Sequence, residues 1–348
     1  MELEVYKTIN EVKELFDVEV ITCKEDLLKK IKELSSNNPE RFFRGVNDAS
    51  YKMYASSQRY YINDFSKYEK YTYMNYLKDI NECSTDIHSN YFKNLYDKQS
   101  GVGKNSFVKG QQKFKIEYNS LWQWVFLQHL CVASPLIDFS SKFEVALFFA
   151  WYNANYISDN ILNGDTINLQ DYIQIIHYEQ PKINGFANYK NFLIDIANKM
   201  VCADTEEKTN TIFSDNSNLI DNSFKELYYI PYGTKIQDIF PLSNNNYYIN
   251  FDFSNPNIVA QQGFLLINNN NGNKPLEHFW IEEKMSNHPY QKLPSLHKVL
   301  IHKSLLHFIQ TYLEETYKTK DLKKHFTPLE QNLKDEIFEA IKQKRNFK

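Results

Sequence analysis

The strongest hydrophobic pattern in the chain lies in residues 121–151. Its first part predicts a helix that ends near Cys131, where small, β-branched and proline residues replace the aromatic and aliphatic ones. Residues 136–139 form a short apolar run with one acid, which predicts a buried strand. The segment 143–151 is apolar on almost every side, and a helix without a wide polar face is buried. Ser141, with a glutamate three residues later, predicts a capping box at the start of this helix.

Shorter apolar runs predict the other strands of a sheet, and helical patterns lie around them. The runs that predict strands are residues 42–46, 172–178, 226–232, 259–268 and 298–302. Helices are predicted near residues 27–34, 69–83, 91–98 and 188–201 and after Ser304 and Thr327, and Thr22 opens a second capping box. Strands do not alternate regularly with helices, and the nine glycines include no dinucleotide fingerprint. We therefore predict an α+β fold, in which helices surround a small mixed or antiparallel core sheet.

The composition is that of a folded chain rich in aromatic residues. Of the 348 residues, 42% are hydrophobic and 16% are aromatic, which argues against disorder. The length suits one large domain or two smaller ones. Because neither an internal repeat nor a linker is visible, we predict a single domain over residues 1–348. A net charge of −3 excludes a global basic field, so we expect no strong nucleic-acid binding.

Cysteine spacing and the first residues bear on location. The cysteines lie far apart without a C-x-x-C pair, which favours neither a zinc site nor a disulfide scaffold. The first ten residues lack the basic and apolar regions of a signal peptide. No uninterrupted apolar run reaches the roughly 18 residues of a membrane span. We therefore expect a cytoplasmic protein with no membrane contact and no metal.

A glycine-rich stretch at residues 101–106 invites comparison with a phosphate-binding loop. In that loop a glycine lies five residues before the Gly-Lys pair, and a serine or threonine follows the pair. This chain has Lys98 and Asn105 at those positions. The sequence therefore predicts a mobile surface loop here.

Polar residues cluster beside the core helix predicted at residues 143–151. They are Gln128, His129, Asp138, Ser140 and Ser141. Polar groups beside a core either cap an element or form a site. In the simpler interpretation the two serines cap the helix, and His129 is a hydrogen-bonded core histidine.

The candidates outside this cluster also have a structural interpretation. Arg44 can pair with Asp138 and so tie an early strand to the core, since buried arginine is usually paired. Gln261 can satisfy backbone groups within the sheet. The residues alone leave these alternatives open beside ligand binding.

Several motifs resemble those of the FRG domain family, which is named for a Phe-Arg-Gly sequence. The chain has that sequence as Phe43-Arg44-Gly45, followed by Gln128-His129, by Asp138-Phe139-Ser140 and by an A-L-F-F-A helix. Matches to further parts of the family pattern are Ser56, Arg59, Gln261 and Gly263, whereas Cys131, Ala133 and Asn257 stand where the family has other residues. By the order of elements the resemblance covers roughly residues 20–345, with helical insertions near 60–120 and 180–225.

More distantly, the order of these motifs is similar to that of the Arg–Ser–Glu class of ADP-ribosyltransferases. The resemblance implies a sheet of that type, and it implies that Arg44 orients NAD through a phosphate or ribose contact. It also implies that Ser140 or Ser141 shapes the nicotinamide pocket. Gln261 stands near the position of the expected glutamate, so Asp138 becomes the substitute carboxylate.

The resemblance gives one set of site residues, which we expect to converge in a single cleft. The expected catalytic residues are Asp138, His129 and Gln261, and the expected cofactor-binding residues are Arg44, Gly45, Gln128, Ser140, Ser141 and Arg59. Gly45 is expected to leave room for a phosphate to approach Arg44.

Two classes of function follow, and the sequence does not choose between them. The first is an enzyme that uses NAD as a substrate and transfers ADP-ribose to a macromolecule, as a bacterial toxin or phage-defence effector. The second is a noncatalytic module that senses a nucleotide or binds a protein. A carboxylate aimed into the cleft favours the first class, and an Arg44 sealed in an ion pair favours the second. The expected partners are NAD or ADP-ribose, together with a macromolecular acceptor or a protein.

Overall fold

The computed structural model describes twelve parts of the chain. They are residues 2–35, 41–80, 82–84, 128, 133–157, 167–179, 229–230, 260–261, 263–267, 274–278, 296–327 and 334–347. The predicted helices at 91–98 and 188–201, the loop at 101–106 and most of the helix before Cys131 lie outside these residues. The prediction of a single domain also stays a prediction.

Seven strands within the described residues form one mixed sheet. They are β1 (Asp17–Ile21), β2 (Arg41–Val46), β3 (Leu136–Ser140), β4 (Tyr172–Glu179), β5 (Tyr229–Ile230), β6 (Gly263–Ile267) and β7 (Leu296–His302). Their spatial order is β1-β7-β4-β2-β3-β6-β5. The β1–β7 pair is parallel and the other pairs are antiparallel. With helices packed around this sheet, the α+β prediction is confirmed.

The helices lie at both ends of the chain and after β3. They include α1 (Ile9–Lys13), α2 (Lys24–Leu34), α3 (Ser56–Tyr60), α4 (Phe143–Trp151), α5 (Leu306–Tyr317), α6 (Leu322–Phe326) and α7 (Lys334–Arg345), and residues 73–80 are also helical. A π-helical turn, Tyr61–Phe65, continues α3, and 3-10 turns precede β4 and α5 at Leu169–Asp171 and Lys303–Leu305. None of these described helices combines the length and the apolar character that a membrane span requires.

Most predicted strands are confirmed with small shifts at their ends. The run 259–268 is shorter than expected, because Ala260 and Gln261 are helical and the strand begins at Gly263. Of the run 226–232, the described residues are Tyr229–Ile230, and they form β5. Strand β1 was not predicted, since its D-V-E-V-I pattern is short and carries two acids.

Both predicted capping boxes at the starts of α2 and α4 are wrong. The N-cap of α2 is Cys23, not Thr22, and its side chain does not cap the backbone. The N-cap of α4 is Lys142, because β3 runs to Ser140 and leaves Ser141 in the bend between the two elements. The hydroxyl of Ser140 accepts the hydrogen bond from the Lys142 amide at 2.9 Å, which replaces the expected cap.

Of two other predicted helix starts, the one at Thr327 is followed by residues outside the described ones and stays a prediction, and the one at residue 69 is shifted. Thr327 is the C-cap of α6, and its hydroxyl donates to the carbonyl of Lys323 at 2.7 Å. The helix predicted from residue 69 begins at residue 73. Lys70 has a left-handed backbone, and the hydroxyl of Thr72 accepts from the Asn75 amide at 3.2 Å.

One face of the sheet is covered by helices, and we call it the helix face. Its buried cluster joins Phe43, Ile175 and Val299 on the strands to apolar side chains of α2, α4, α5 and α6. Gly45 lies on this face, directly beneath α4. A Cβ atom at Gly45 would meet the backbone carbonyl oxygen of Ala146 at 1.7 Å. The glycine therefore allows α4 to pack against the backbone of β2.

The other face is covered by the N-terminal segment and by residues near position 276, and we call it the charged face. Its cluster contains Phe42, Ile176 and Leu300 from the strands, and Tyr6 and Phe16 from the covering segment. Register also places two cationic side chains on this face. Arg44 of β2 and Lys298 of β7 each lie opposite Ile176 of β4, in one row across the sheet.

Candidate functional site

Arg44 is half-buried on the charged face and bonds to the neighbouring strand. Its Nη1 atom donates to the backbone carbonyl of Asp138 on β3 at 2.6 Å. Its Nε atom is buried and has no hydrogen-bond partner. The predicted connection between Arg44 and Asp138 therefore exists, but it runs through a backbone carbonyl. In the described part of the chain, no ion pair holds Arg44.

The side chain of Asp138 is held by Gln128. The amide of Gln128 donates to Asp138 Oδ2 at 2.5 Å, and its Oε1 atom accepts from the Ser56 hydroxyl at 3.4 Å. The other carboxylate oxygen, Oδ1, is buried and has no partner. Ser56 also accepts a hydrogen bond from the Ser134 amide at 3.0 Å, which fixes the start of α3 beside β3. One oxygen of the Asp138 carboxylate thus remains without a partner.

The charge of Arg44 is set by burial and by nearby ionised groups. Burial lowers the pKa of Arg44 to about 10, and the Asp138 carboxylate opposes this shift. The charge of Arg59 lowers this pKa further, whereas that of Glu277 raises it. The guanidinium is therefore charged at neutral pH. Arg59 itself is exposed on α3.

Glu277 and Lys298 are two buried ionisable side chains that interact electrostatically, and the sequence analysis did not find them. The carboxylate of Glu277 accepts from the Tyr6 hydroxyl at 3.2 Å, and both its oxygens accept from the Met53 amide, at 3.0 and 2.9 Å. The Nζ atom of Lys298 lies 4.1 Å from the ring centroid of Tyr6 and 4.4 Å from that of Phe16. It has no hydrogen-bond partner, although the side chain is fully buried. These two residues bring opposite charges to the same face as Arg44.

Ser140 and Gln261 lie together, but apart from Arg44. The Ser140 hydroxyl donates to the Gln261 carbonyl at 2.7 Å, and the Gln261 amide donates to the carbonyl of Phe326 at 3.0 Å. Ser140 pairs with Phe43, and both Phe43 and Phe326 belong to the cluster on the helix face. Gln261 thus satisfies backbone groups, as its structural interpretation anticipated. The expected cleft is divided between two faces of the sheet.

The remaining predicted residues have different outcomes. The close approach expected at Gly45 is present, and α4 occupies the space on the side where a Cβ atom would lie, while a contact between Gly45 and a cofactor stays a prediction. Ser141 lies in the bend before α4, partly exposed. His129 is outside the described residues. The roles predicted for the other residues stay predictions.

A second polar cavity lies near the first residue of β2, away from Asp138. Its lining includes Arg41, Lys30, His177 and His297. The two histidine rings stack with their centroids 4.8 Å apart. Burial lowers the pKa of His177 to about 3, with smaller contributions from the nearby cations, so this ring is neutral at physiological pH. Across the described ranges, no group of three or more His, Cys, Asp or Glu side chains is placed to hold a metal ion.

The sequence carried only a partial signal for the missed pair. Lys298 opens an apolar run that was correctly predicted as a strand, and a charge at such a position is unusual enough to suggest a buried partner. Glu277 lies in a Pro-Leu-Glu-His stretch with no periodic pattern. Its role depends on Tyr6 and Met53, which are more than 200 residues away in the chain, and only the fold shows that contact.

Comparison with known proteins supplies the remaining evidence. Neither the curated proteins nor the solved structures include a significant match to this chain. The model of the FRG domain family matches residues 39–157, a range that contains Arg44, Gln128 and Asp138. This part of the chain is therefore an FRG domain.

Proposed function

We propose that the chain binds NAD or ADP-ribose with a phosphate held at Arg44, and that it transfers ADP-ribose to a macromolecular acceptor. The observation that carries the proposal is the state of the Arg44 side chain. Its guanidinium is charged, donates a hydrogen bond to the backbone carbonyl of Asp138, and keeps a buried Nε donor without a partner. A guanidinium with free donors can hold a phosphate by charge-assisted, bidentate hydrogen bonds.

Asp138 supports the catalytic part of the proposal. In ADP-ribosyl transfer, the bond between the ribose carbon and nicotinamide breaks, and its electron pair leaves with nicotinamide. Positive charge develops on the ribose, and a fixed carboxylate stabilises that charge. Asp138 is oriented by Gln128 and has one oxygen without a partner. The acceptor then forms a new bond to the ribose carbon and releases its proton.

The second candidate is a module that binds the nucleotide without reacting with it. The specific observation in its favour is that Ser140 and Gln261 are engaged with backbone groups on the helix face. The side chain of Gln261, which stands near the position of the expected glutamate, is therefore engaged away from Arg44. Release of nicotinamide from NAD by the purified protein distinguishes the enzyme from the module.

Calorimetry with NAD and with ADP-ribose tests the proposed binding. The Arg44→Lys variant keeps the charge but loses the planar guanidinium that can donate two hydrogen bonds to one phosphate, so its binding should weaken by at least about 1 kcal/mol. Its melting temperature should stay close to that of the wild type. The matched control is Arg41→Lys, which makes the same substitution on β2 at the second cavity and should bind as the wild type does.

Two results would contradict the proposal. Binding of neither ligand by the wild-type protein would remove the nucleotide function altogether. A large drop in the melting temperature of Arg44→Lys, without a separate effect on binding, would make Arg44 a structural residue that joins β2 to β3. In that case the function of the domain would have to rest on protein contacts.

A further inference from the structure

Arg59 is a second cationic side chain on the same side of the site. It lies on α3 and is exposed, and its side chain makes no hydrogen bond or ion pair with the described residues. Residues three positions apart share one face of a helix, so Arg59 leaves α3 on the face that carries Ser56. Ser56 contacts Gln128, and Gln128 holds Asp138. This chain of contacts leads from the face of α3 that carries Arg59 to Asp138, whose backbone carbonyl binds Arg44.

The two guanidinium groups are close enough to affect each other. The charge of Arg59 lowers the pKa of Arg44, as expected for neighbouring like charges. The carboxylate of Glu277 is already bound by Tyr6 and Met53. Asp138 directs one oxygen to Gln128. An anion that contacts both arginines would therefore relieve a repulsion that the described side chains compensate only in part.

We propose that Arg59 supplies a second phosphate contact, so that the site selects nucleotides with a diphosphate over nucleoside monophosphates. The inference rests on the proposed function, because it requires a nucleotide phosphate at Arg44. A monophosphate offers one anionic group and engages one guanidinium. The two linked phosphates of ADP or ADP-ribose engage both, and each contact is a charge-assisted hydrogen bond.

Calorimetry with AMP, ADP and ADP-ribose tests the selection on the full-length protein. The wild type should bind ADP and ADP-ribose at least about tenfold more tightly than AMP, since one charged hydrogen bond contributes roughly that factor. The Arg59→Gln variant should lose about tenfold for the two diphosphates and less than about twofold for AMP. Arg44→Lys should weaken all three ligands, because every one of them places a phosphate at Arg44.

The control variant is Arg41→Gln, which removes one positive charge from the same domain at the second cavity. It should leave all three affinities unchanged, and this separates a local contact from a general effect of net charge. A thermal melt accompanies each variant. Because Arg59 is exposed, no loss of stability is expected; should Arg59→Gln unfold, Arg59→Lys serves instead, with a smaller loss confined to the diphosphates.

The failures of the two proposals can be told apart. If the wild type binds none of the nucleotides, the proposed function fails and the inference fails with it. If the wild type binds ADP through Arg44 but Arg59→Gln changes AMP and ADP equally, or changes neither, the diphosphate inference alone is overturned. Equal binding of AMP and ADP by the wild type would overturn it as well.

Discussion

The helix face and the charged face of the sheet are stabilised in different ways. On the helix face, Phe43 packs in an apolar cluster and Gly45 lies against the backbone of α4. On the charged face, Arg44 and Lys298 share a row with Ile176, and Glu277 lies under the N-terminal segment. One face is closed by close packing, and the other buries charges that depend on one another.

The difference teaches where this fold can carry function. Close packing around Gly45 tolerates little change in volume. The charged face retains buried polar atoms without partners, and Arg44 Nε and Lys298 Nζ are two of them. Such atoms cost stability and are therefore candidates for a functional explanation.

The largest effect should come from adding one carbon to the helix face. The Gly45→Ala variant places Cβ 1.7 Å from a backbone oxygen of α4, and neither β2 nor α4 can move alone. We expect a loss of more than about 4 kcal/mol in the free energy of unfolding, because the clash is with backbone atoms. Urea unfolding of purified protein measures it. A variant with wild-type stability would show that α4 is not fixed against β2.

A smaller loss is expected on the charged face from Glu277→Gln. This variant keeps the shape and one acceptor oxygen, but it removes the charge that faces Lys298 and the second acceptor for the Met53 amide. We expect a loss of about 2 kcal/mol in urea unfolding. The control is Glu33→Gln, an exposed partner of Lys30, which should cost less than about 0.5 kcal/mol. Equal effects of the two variants would argue against a coupled pair at Glu277.

A further effect should be a pH dependence that comes from Lys298. Burial lowers the pKa of this ammonium to about 7 from its ordinary 10.5, and the charge of Glu277 opposes the shift. Below the pKa of Lys298 in the folded protein, this lysine is charged in both the folded and the unfolded state, so the full cost of burying its charge lowers the stability. Between the folded and the unfolded pKa, the unfolded chain holds a proton on Lys298 that the folded chain has released. The free energy of unfolding should therefore rise with pH above about 7.

The Lys298→Met variant should show a flatter rise than the wild type when unfolding is followed from pH 7 to about pH 9. The groups that face Lys298 are Glu277, Lys52 and the rings of Tyr6 and Phe16. Lys30→Met is the control, because its two carboxylate partners raise the pKa of Lys30 although burial lowers it. A wild-type curve that falls over this range, or a variant as steep as the wild type, would contradict the assignment.

The sequence predicted the sheet better than it predicted the site. Long apolar runs such as those of β4 and β7 indicate strands whatever their neighbours, because burial on both faces leaves few polar positions. The parallel pairing of β1 with β7 joins residues about 280 positions apart, and no local pattern encodes that contact. The predicted start of α4 was wrong for a local reason. The Ser140 hydroxyl, one residue before the expected N-cap and still within β3, accepts the hydrogen bond from the Lys142 amide.

For the site, the residue types indicated which side chains are candidates, but the sequence did not show to which face of the sheet each of them points. The motifs correctly brought Arg44, Gln128 and Asp138 into contact. They also suggested that Ser140 and Gln261 belong with Arg44, yet Ser140 lies opposite Phe43 of the helix face, whereas Arg44 points to the charged face. Alternation along a strand decides which side chains meet, and alternation can be applied only when the register between strands is known.

The Phe-Arg-Gly sequence assigns three consecutive residues of β2 to different surroundings. Phe43 enters the helix-face cluster, Arg44 turns to the charged face, and Gly45 returns beneath α4. Because side chains alternate along a strand, inserting or deleting one residue before this tripeptide would exchange the two sides. The guanidinium would then be driven into the backbone of α4, and the glycine would face the N-terminal segment. This strand should therefore accept substitutions at many positions more readily than any change in its length.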